Sequence, residues 1–277
     1  MSIKTILVHL IDDEQFDKCL RLAIDLGKQH QAHLTGLFFS GEIDMPGGAV
    51  GRGMSRKFLE ATAEEMEKEA VGLATRFKDA CSQADLSHAF FVEEGNYHQI
   101  FESHARAADL IIVSQTHAQT LEDYVRHILA EELVLESGVP VLMVPRQAAL
   151  PATVGQRILV AYTSTRECVR AVKDALPFLK TADKVVLLTQ GTPEETGHLP
   201  LSQVQDYLLR HGVTTEIDRH VGDKRDFGPA ILTKAKDHQA DLLVMGASGR
   251  ARLREIFSGS AAGHVFRQLD LPLIASH

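Results

Sequence analysis

Several features that mark other protein classes are missing from this chain of 277 residues. It has only three cysteines, Cys19, Cys81 and Cys168, which lie far apart and form no CxxC motif. An odd and sparse set argues against a disulfide framework and indicates a reducing compartment, so we expect a cytoplasmic protein. No run of 18 apolar residues and no signal-peptide pattern is present, so we expect no membrane segment.

Motifs for common catalytic and metal chemistry are also lacking. None of the 14 histidines lies in an HExxH motif, and no Cys/His pairs have zinc-site spacing. No G-x-S-x-G motif or other nucleophile–base pattern is present. We therefore predict no catalytic and no metal-binding residues, and expect any enzymatic turnover to be slow.

Charge is unevenly distributed along the chain, whose net charge is -8. A negative balance argues against general binding to nucleic acid or to an anionic membrane. Residues 1–150 contain 13 Lys and Arg against 23 Asp and Glu, whereas the remainder contains 16 and 14. The second half is the better host for an anionic ligand, although acidic residues that only solvate helix surfaces would give the same asymmetry.

Short apolar runs alternate with amphipathic stretches, which is typical of an α/β fold with a parallel sheet covered by helices on both faces. The same order of elements occurs twice. The first half predicts strands at 3–10, 33–40, 87–93, 109–114 and 140–144, and helices at 14–30, 57–83, 97–107 and 120–137. The second half predicts strands at 157–162, 184–189, 214–220, 241–246 and 272–275, and helices at 166–179, 201–211, 227–238 and 261–269.

Matching tripeptides support this internal repeat. Ile6-Leu-Val8 returns as Ile158-Leu-Val160, and Ala108-Asp-Leu110 returns as Ala240-Asp-Leu242. The two spacings differ by about 20 residues, and the glycine-rich stretch 41–57 is the best candidate for the extra length. We predict domains at 1–146 and 157–277, joined by a linker at 147–156 that contains proline and glycine.

The most informative segment lies between a predicted strand and the last predicted helix. It has the spacing G-x2-G-x9-G-S, formed by Gly246, Gly249, Gly259 and Ser260. Glycines at the end of a parallel strand let a phosphate approach bare backbone, and a helix N-terminus favours an anion. Arg250 adds positive charge in the loop between them. The alternative is that the glycines only form a tight turn and a helix start.

This spacing resembles the ATP-binding signature of the universal stress protein family, and the similarity extends over both halves in the manner of the bacterial tandem members. The resemblance implies two flavodoxin-like, Rossmann-like domains, each with a five-stranded parallel sheet of order 3-2-1-4-5. It implies ATP or AMP, with or without Mg, at the switch between strands one and four. The implied ligand-binding residues are Ala161, Tyr162, Thr163, Met245, Gly246, Ser248, Gly249, Arg250, Gly259, Ser260 and Ala261.

Two departures from the family pattern stand out. Nucleotide-binding members usually carry an aspartate just after the first strand, where this chain has Thr163. In the first half, the glycine and serine positions map onto Ser114, His117, His127 and Ile128, so no glycine remains. We therefore predict that the first domain does not bind ATP in the same way. Two interpretations of His117 and His127 remain: they bind an anion or a metal ion, or they are ordinary surface residues.

We expect a regulatory stress protein whose C-terminal domain binds an adenine nucleotide and whose occupancy alters domain pairing or the recruitment of an unknown protein partner. The main alternative is an interaction module that binds no nucleotide. A metabolic enzyme of the related nucleotide α-hydrolase group is disfavoured, because the domains are small and the sequence shows no motif for a second substrate site. Two chains could also pair as a homodimer with C2 symmetry.

Overall fold

The structure is a computed structural model that describes residues 2–11, 14–39, 56–115, 129–191, 201–247 and 260–277. The chain divides into two compact units, Ser2–Leu129 and Ala130–His277. Each unit contains parallel strands joined by helices, as the alternating apolar and amphipathic pattern predicts. Among the described residues, no helix has both the length and the apolar character that crossing a bilayer requires.

The described residues of the first unit form four parallel strands in the order β3-β2-β1-β4. Its central strands are buried on both faces, which explains their continuous apolar sequences. The second helix turns a stripe spaced by three or four residues toward the sheet, comprising Ala70, Leu73, Phe77 and Cys81. The elements are β1 (Thr5–His9), α1 (Phe16–His30), β2 (His33–Phe39), α2 (Arg56–Gln83), β3 (His88–Glu93), α3 (Tyr97–Ala105) and β4 (Leu110–Ser114).

In the part of the second unit that the structure describes, six strands follow the order β5-β10-β9-β6-β7-β8. The last five are parallel, and their order confirms the predicted 3-2-1-4-5 arrangement. Strand β5, from the first sequence repeat, pairs antiparallel with β10. The elements are α4 (Leu129–Glu136), β5 (Val141–Val144), β6 (Arg157–Tyr162), α5 (Arg166–Asp174), α6 (Leu176–Leu179), β7 (Lys184–Gln190), α7 (Leu201–Arg210), β8 (Glu216–His220), α8 (Phe227–Asp237), β9 (Leu242–Gly246), α9 (Ala261–Arg267) and β10 (Leu273–Ser276).

One predicted helix is divided in the structure. The sequence predicts a single helix over 166–179, whereas α5 ends before Ala175 and α6 begins at Leu176. Pro177 explains the break, because proline has no amide hydrogen and its ring clashes with the carbonyl one turn earlier. The amphipathic pattern continues through this break and therefore did not reveal it.

The repeated Ala-Asp-Leu tripeptide has a structural role at the amino ends of the strands. Asp109 accepts hydrogen bonds from the backbone amides of Lys4 and Thr5, at 2.7 and 3.0 Å. Asp241 accepts bonds from the amides of residues 155, 156 and 157, at 2.9–3.1 Å. Each aspartate thus ties the start of its unit's fourth strand to the start of the first, at the edge opposite the predicted ligand site.

Candidate functional site

The carboxyl ends of β6 and β9 bring together several of the predicted ligand residues. The strand register pairs Ala161 with Met245, and both side chains are buried. Thr163 follows β6 and is exposed, while Gly246 ends β9 and is partly exposed. These four residues therefore occupy one edge of the sheet, where ligands of open α/β folds bind.

The predicted nucleoside-lining residues divide between the two faces of the sheet. Side chains alternate along a strand, so Ala161 and Met245 point to one face and Tyr162 to the other. Tyr162 is buried, and burial together with the neighbouring Cys168 raises the pKa of its phenol, against a hydrogen bond with Ser164. Tyr162 lies on the face of α5, near Cys168, and Ala161 and Met245 lie on the opposite face of the sheet.

Gly246 lies directly against the start of α5. A Cβ atom built at this position would meet the backbone nitrogen of Cys168 and would lie 2.5 Å from the carbonyl carbon of Glu167 and 2.7 Å from Cys168 Cα. Real side chains do not approach backbone atoms so closely, and a helix start cannot move aside cheaply. The strand-to-helix packing therefore requires glycine here, whatever ligand the site binds.

Cys168 links the segments around this edge, and the sequence analysis missed that role. Its sulfur accepts a hydrogen bond from the Thr163 amide at 3.4 Å, and its thiol donates to the Ala161 carbonyl at 3.5 Å. Burial raises the pKa of the Cys168 thiol to about 11, against hydrogen bonds from the Thr163 and Gly246 backbone, so it stays protonated at neutral pH. The position of Cys168 in the first turn of the helix after β6 was the available signal.

The N-terminus of α5 is already occupied by groups of the chain itself. Thr165 caps the helix by accepting a hydrogen bond from the Cys168 amide at 3.3 Å. Glu167 is half-buried, and its own backbone amide, followed by Thr165, Arg166 and His277, holds the pKa of its carboxyl below the usual range against burial. An ionised carboxylate in the first turn offsets the positive helix end, which makes this helix a poor anion site.

The N-terminus of α9 has a different arrangement. Ser260 has the extended backbone of an N-cap, and its hydroxyl oxygen accepts a hydrogen bond from the Gly263 amide at 3.0 Å. The hydroxyl hydrogen is not used in that bond. Helix α8 fixes this end, since a Cβ on Gly228 would lie 2.8 Å from His264 Cβ and 3.2 Å from Ala261 Cα. Ser260 and Ala261 are therefore held at the start of a helix that follows the glycine segment.

Four predicted ligand residues, Ser248, Gly249, Arg250 and Gly259, lie outside the described residues, as do His117, His127 and Ile128 of the first repeat. Ser114 is described and is buried at the end of β4. Within the described part of the chain, no group of three or more His, Cys, Asp or Glu side chains is placed to hold a metal ion.

The first unit has an aromatic cluster at the matching edge. The His9 ring lies 5.8 Å from the Phe39 ring and 6.0 Å from the Phe101 ring, measured between centroids. Phe39 and Phe101 stack at 6.4 Å, and Phe101 is fully buried. The corresponding residues of the second unit, by strand register and helix position, are Ala161, Gln190 and Ile231.

Comparisons with known proteins agree with this architecture. The universal stress protein family profile matches residues 2–145 and again residues 155–277. A universal stress protein from Synechocystis sp. is 23% identical over 241 residues, which cover 82% of this chain and 81% of that protein.

One solved structure shows the same fold over nearly the whole chain. The crystal structure of a universal stress protein from Archaeoglobus fulgidus has a TM-score of 0.77 at 16% identity, over 99% of this chain and 96% of that one. A universal stress protein solved in complex with cAMP is 25% identical, with a TM-score of 0.37, over 44% of this chain and 96% of that one. From the two profile matches, this chain belongs to the universal stress protein family, with the family domain occurring twice.

Proposed function

We propose that the C-terminal unit binds an adenine nucleotide, ATP or AMP, at the carboxyl ends of β6 and β9, and that the protein acts as a regulator in the stress response. The observation that carries this proposal is the start of α9, where Ser260 caps a helix that directly follows the glycine segment. Free amides and a hydroxyl at that position suit phosphate oxygens.

The phosphates would be held by the glycine segment and the start of α9. In this proposal glycine at 249 and 259 would let phosphate approach the backbone, Arg250 would supply positive charge, and the Ser260 hydroxyl would donate to a phosphate oxygen. The ionised Glu167 at the start of α5 directs the anion toward α9. Magnesium, when bound, would be held mainly by phosphate oxygens and water, as is usual for this ion.

The nucleoside would lie over β6. Ala161 and Met245 are buried side by side beneath this edge and would form the apolar floor of the base site. The Thr163 hydroxyl lies at the exposed end of the strand and can hydrogen-bond to the ribose. It lacks the charge of the aspartate that family members usually carry there, so we expect weaker binding than an aspartate would give.

The proposal also extends to the regulation, the partners and the location of the protein. Nucleotide occupancy would alter the recruitment of a protein partner, and two chains could associate as a homodimer. All three cysteines are buried and none forms a disulfide, which supports a cytoplasmic location. We place the domain boundaries at 1–146 and 157–277, with a linker at 147–156; the two family matches span 2–145 and 155–277.

The test is mass spectrometry of the purified chain for bound nucleotide, followed by calorimetry with ATP and AMP. We expect about one site per chain, lost in Gly259→Val because a side chain would block the phosphate path. The matched control is Gly72→Val, since Gly72 lies on α2 with no atom within 4 Å of an added Cβ. This control is expected to bind normally.

Failure to bind millimolar ATP, with or without magnesium, would contradict the proposal. An interaction module that binds no nucleotide would then replace it, as Thr163 in place of aspartate suggests. Multiple turnover faster than about 1 s⁻¹, a common rate for enzymes, would instead favour a metabolic enzyme over a regulator.

A further inference from the structure

The outer edge of strand β3 exposes large apolar side chains. This strand pairs with β2 on one side and ends the sheet on the other. Phe91 is 41% exposed and Val92 is 46% exposed, and the two side chains point to opposite faces of the strand. An exposed apolar edge strand is a template for pairing with another chain, so proteins usually protect such edges.

The outward-facing backbone groups of β3 can be identified from its bond to β2. The Leu34 amide donates a hydrogen bond to the Ser87 carbonyl at 2.9 Å, so the backbone groups of Ser87 face β2. Successive residues of a strand turn these groups to alternate sides, so those of Phe90 and Val92 face away from the sheet. No side chain in the described parts of the chain caps either outward amide.

Strand β8, the edge strand of the second unit, is protected in the usual ways. The Gly191 amide donates a hydrogen bond to the His220 carbonyl at 2.9 Å, so His220 faces β7 and the Arg219 amide faces outward. The Asp218 carboxylate accepts a hydrogen bond from this outward amide at 2.7 Å. Charged side chains also line β8, whereas residues 89–92 of β3 carry no charge.

We propose that β3 is a homodimer interface, at which the β3 strands of two copies pair antiparallel about a twofold axis. Residues that lie opposite each other in a sheet share a face, so this axis passes through a residue and not between two residues. The sequence of β3 selects Phe91 as the residue on the axis.

The side chains fit each other when the axis passes through Phe91. Phe91 then faces Phe91 of the partner subunit, and Phe90 lies opposite the partner's Val92. Aromatic–aromatic and aromatic–β-branched pairs stabilise neighbouring strands. His88 lies opposite the partner's Glu94, an attractive pair once the imidazole is protonated. An axis at Val92 would put Glu94 against Phe90, and an axis at Phe90 would put His88 against Val92 and lose the polar pair.

The backbone groups also meet in this register. Phe90 and the partner's Val92 both face outward, so they exchange two hydrogen bonds, and the axis repeats this pair. Phe91 lies in a non-hydrogen-bonded pair, where opposite side chains are closest. A twofold interface closes at two copies, and the protected edge of β8 opposes further extension of the sheet. The interface does not depend on the nucleotide site.

The first experiment is sedimentation equilibrium of the full chain and of Val92→Pro over a range of concentrations. Proline removes the outward amide hydrogen, and an edge strand tolerates proline where that hydrogen faces solvent. We expect a dimer for the parent and loss of the dimer in Val92→Pro. The matched control is Ile217→Pro, the same change at an outward-facing position of β8, which is expected to dimerise like the parent.

The second experiment tests the register by disulfide cross-linking. Opposite residues in a non-hydrogen-bonded pair have Cα atoms about 4.5 Å apart, within the range that a disulfide spans. Phe91→Cys is therefore expected to form a covalent dimer on oxidation. Val92→Cys is expected to stay unlinked, because its two copies are offset by two positions along the strands. The natural cysteines are all buried, so the parent gives the background.

Three results would overturn the inference. A parent chain that stays monomeric up to millimolar concentration would leave the β3 edge to a strand of another protein. Parental dimerisation of Val92→Pro would place the dimer interface on another surface. Equal cross-linking of Phe91→Cys and Val92→Cys would contradict the proposed register. None of these results would bear on nucleotide binding, which calorimetry measures separately.

Discussion

The two repeats share a strand order but differ at the carboxyl ends of their first and second strands. In the first unit, the rings of His9, Phe39 and Phe101 pack together at this edge. In the second unit, the corresponding positions hold the methyl group of Ala161 and the amide of Gln190, whose Nε2 has no hydrogen-bond partner among the described residues. The same fold thus has an aromatic cluster at this edge in the first unit and a candidate ligand surface at the same edge in the second. The difference arises because a few side chains decide what a fold can bind.

A second difference concerns the end of the fourth strand. Gly246 has the start of α5 against it, whereas Ser114 of the first repeat carries a side chain at the matching position. A third difference lies on the third strand of each repeat, where the strand registers put Phe91 and Asp218 at equivalent positions. Phe91 contacts the His104 ring at 5.0 Å, while Asp218 binds His238 at 2.7 Å and Lys234 at 3.0 Å. Each contrast can be tested by paired substitutions.

The largest effect is expected in the aromatic cluster. Phe101→Ala should lower the free energy of unfolding of the first unit by about 3–5 kcal/mol, because a fully buried ring is replaced by a cavity. Ile231→Val, at the corresponding helix position, should cost only about 0.5–1.5 kcal/mol. Urea unfolding followed by hydrogen exchange measures the free energy of unfolding of each unit separately. Equal losses of stability in the two variants would show that the two edges are packed alike.

The next effect concerns Gly246 and Ser114. Gly246→Ser should destabilise the second unit by roughly 3 kcal/mol, since its Cβ collides with the backbone of Glu167 and Cys168. Ser114→Gly should cost about 1 kcal/mol, the usual penalty of glycine in a strand. Unfolding curves for both variants measure this. Parental stability of Gly246→Ser would mean that the glycine serves only the ligand.

A smaller, pH-dependent effect is expected at Asp218. Burial opposes its ionisation, yet hydrogen bonds from His238, Lys234 and the Arg219 amide hold the pKa of the Asp218 carboxyl below its usual value. Its stabilisation is therefore present above about pH 4, the unfolded value, and is lost as the pH falls through the lowered folded value. Asp218→Asn should cost about 1–3 kcal/mol at pH 7 and progressively less below pH 4.

Phe91→Leu is the matched variant for that pH experiment. It removes an aromatic contact and no carboxylate, so its cost should not change as Asp218 titrates. Unfolding free energies measured from pH 7 to pH 3 distinguish the two cases. Parallel pH curves for the parent and Asp218→Asn would show that the ion pairs contribute nothing measurable.

The smallest effect is expected at Thr163. Thr163→Asp should strengthen adenine nucleotide binding by about three- to tenfold, because a charged acceptor forms a stronger hydrogen bond than a hydroxyl. Thr163→Asn controls for shape without charge. Ile11→Asp, the equivalent change in the first repeat, should create no binding because no glycine segment follows there. A gain of ATP binding in Ile11→Asp would remove the functional distinction between the repeats.

Much of the architecture was predictable from the chain. Apolar runs located the strands, and the repeated tripeptides showed that the pattern occurs twice. The glycine spacing pointed to the carboxyl ends of the strands, where the structure places Ala161, Met245 and Gly246. The aspartates of the repeated tripeptide gave no hint of their bonds to the first strand, because the partners lie more than 80 residues away.

By itself, the sequence determined the fold class, the repeat and the half of the chain that carries the glycine segment, since these follow from local periodicity and from which residues tolerate a tight turn. Only the tertiary structure decided that Gly246 is required against α5, that Cys168 links Thr163 to Ala161, and that Gln190 and His220 lie side by side at the ends of β7 and β8. These facts depend on contacts between segments distant in sequence. Local residue patterns do not predict such contacts, because strand register and helix packing create them only when the chain folds.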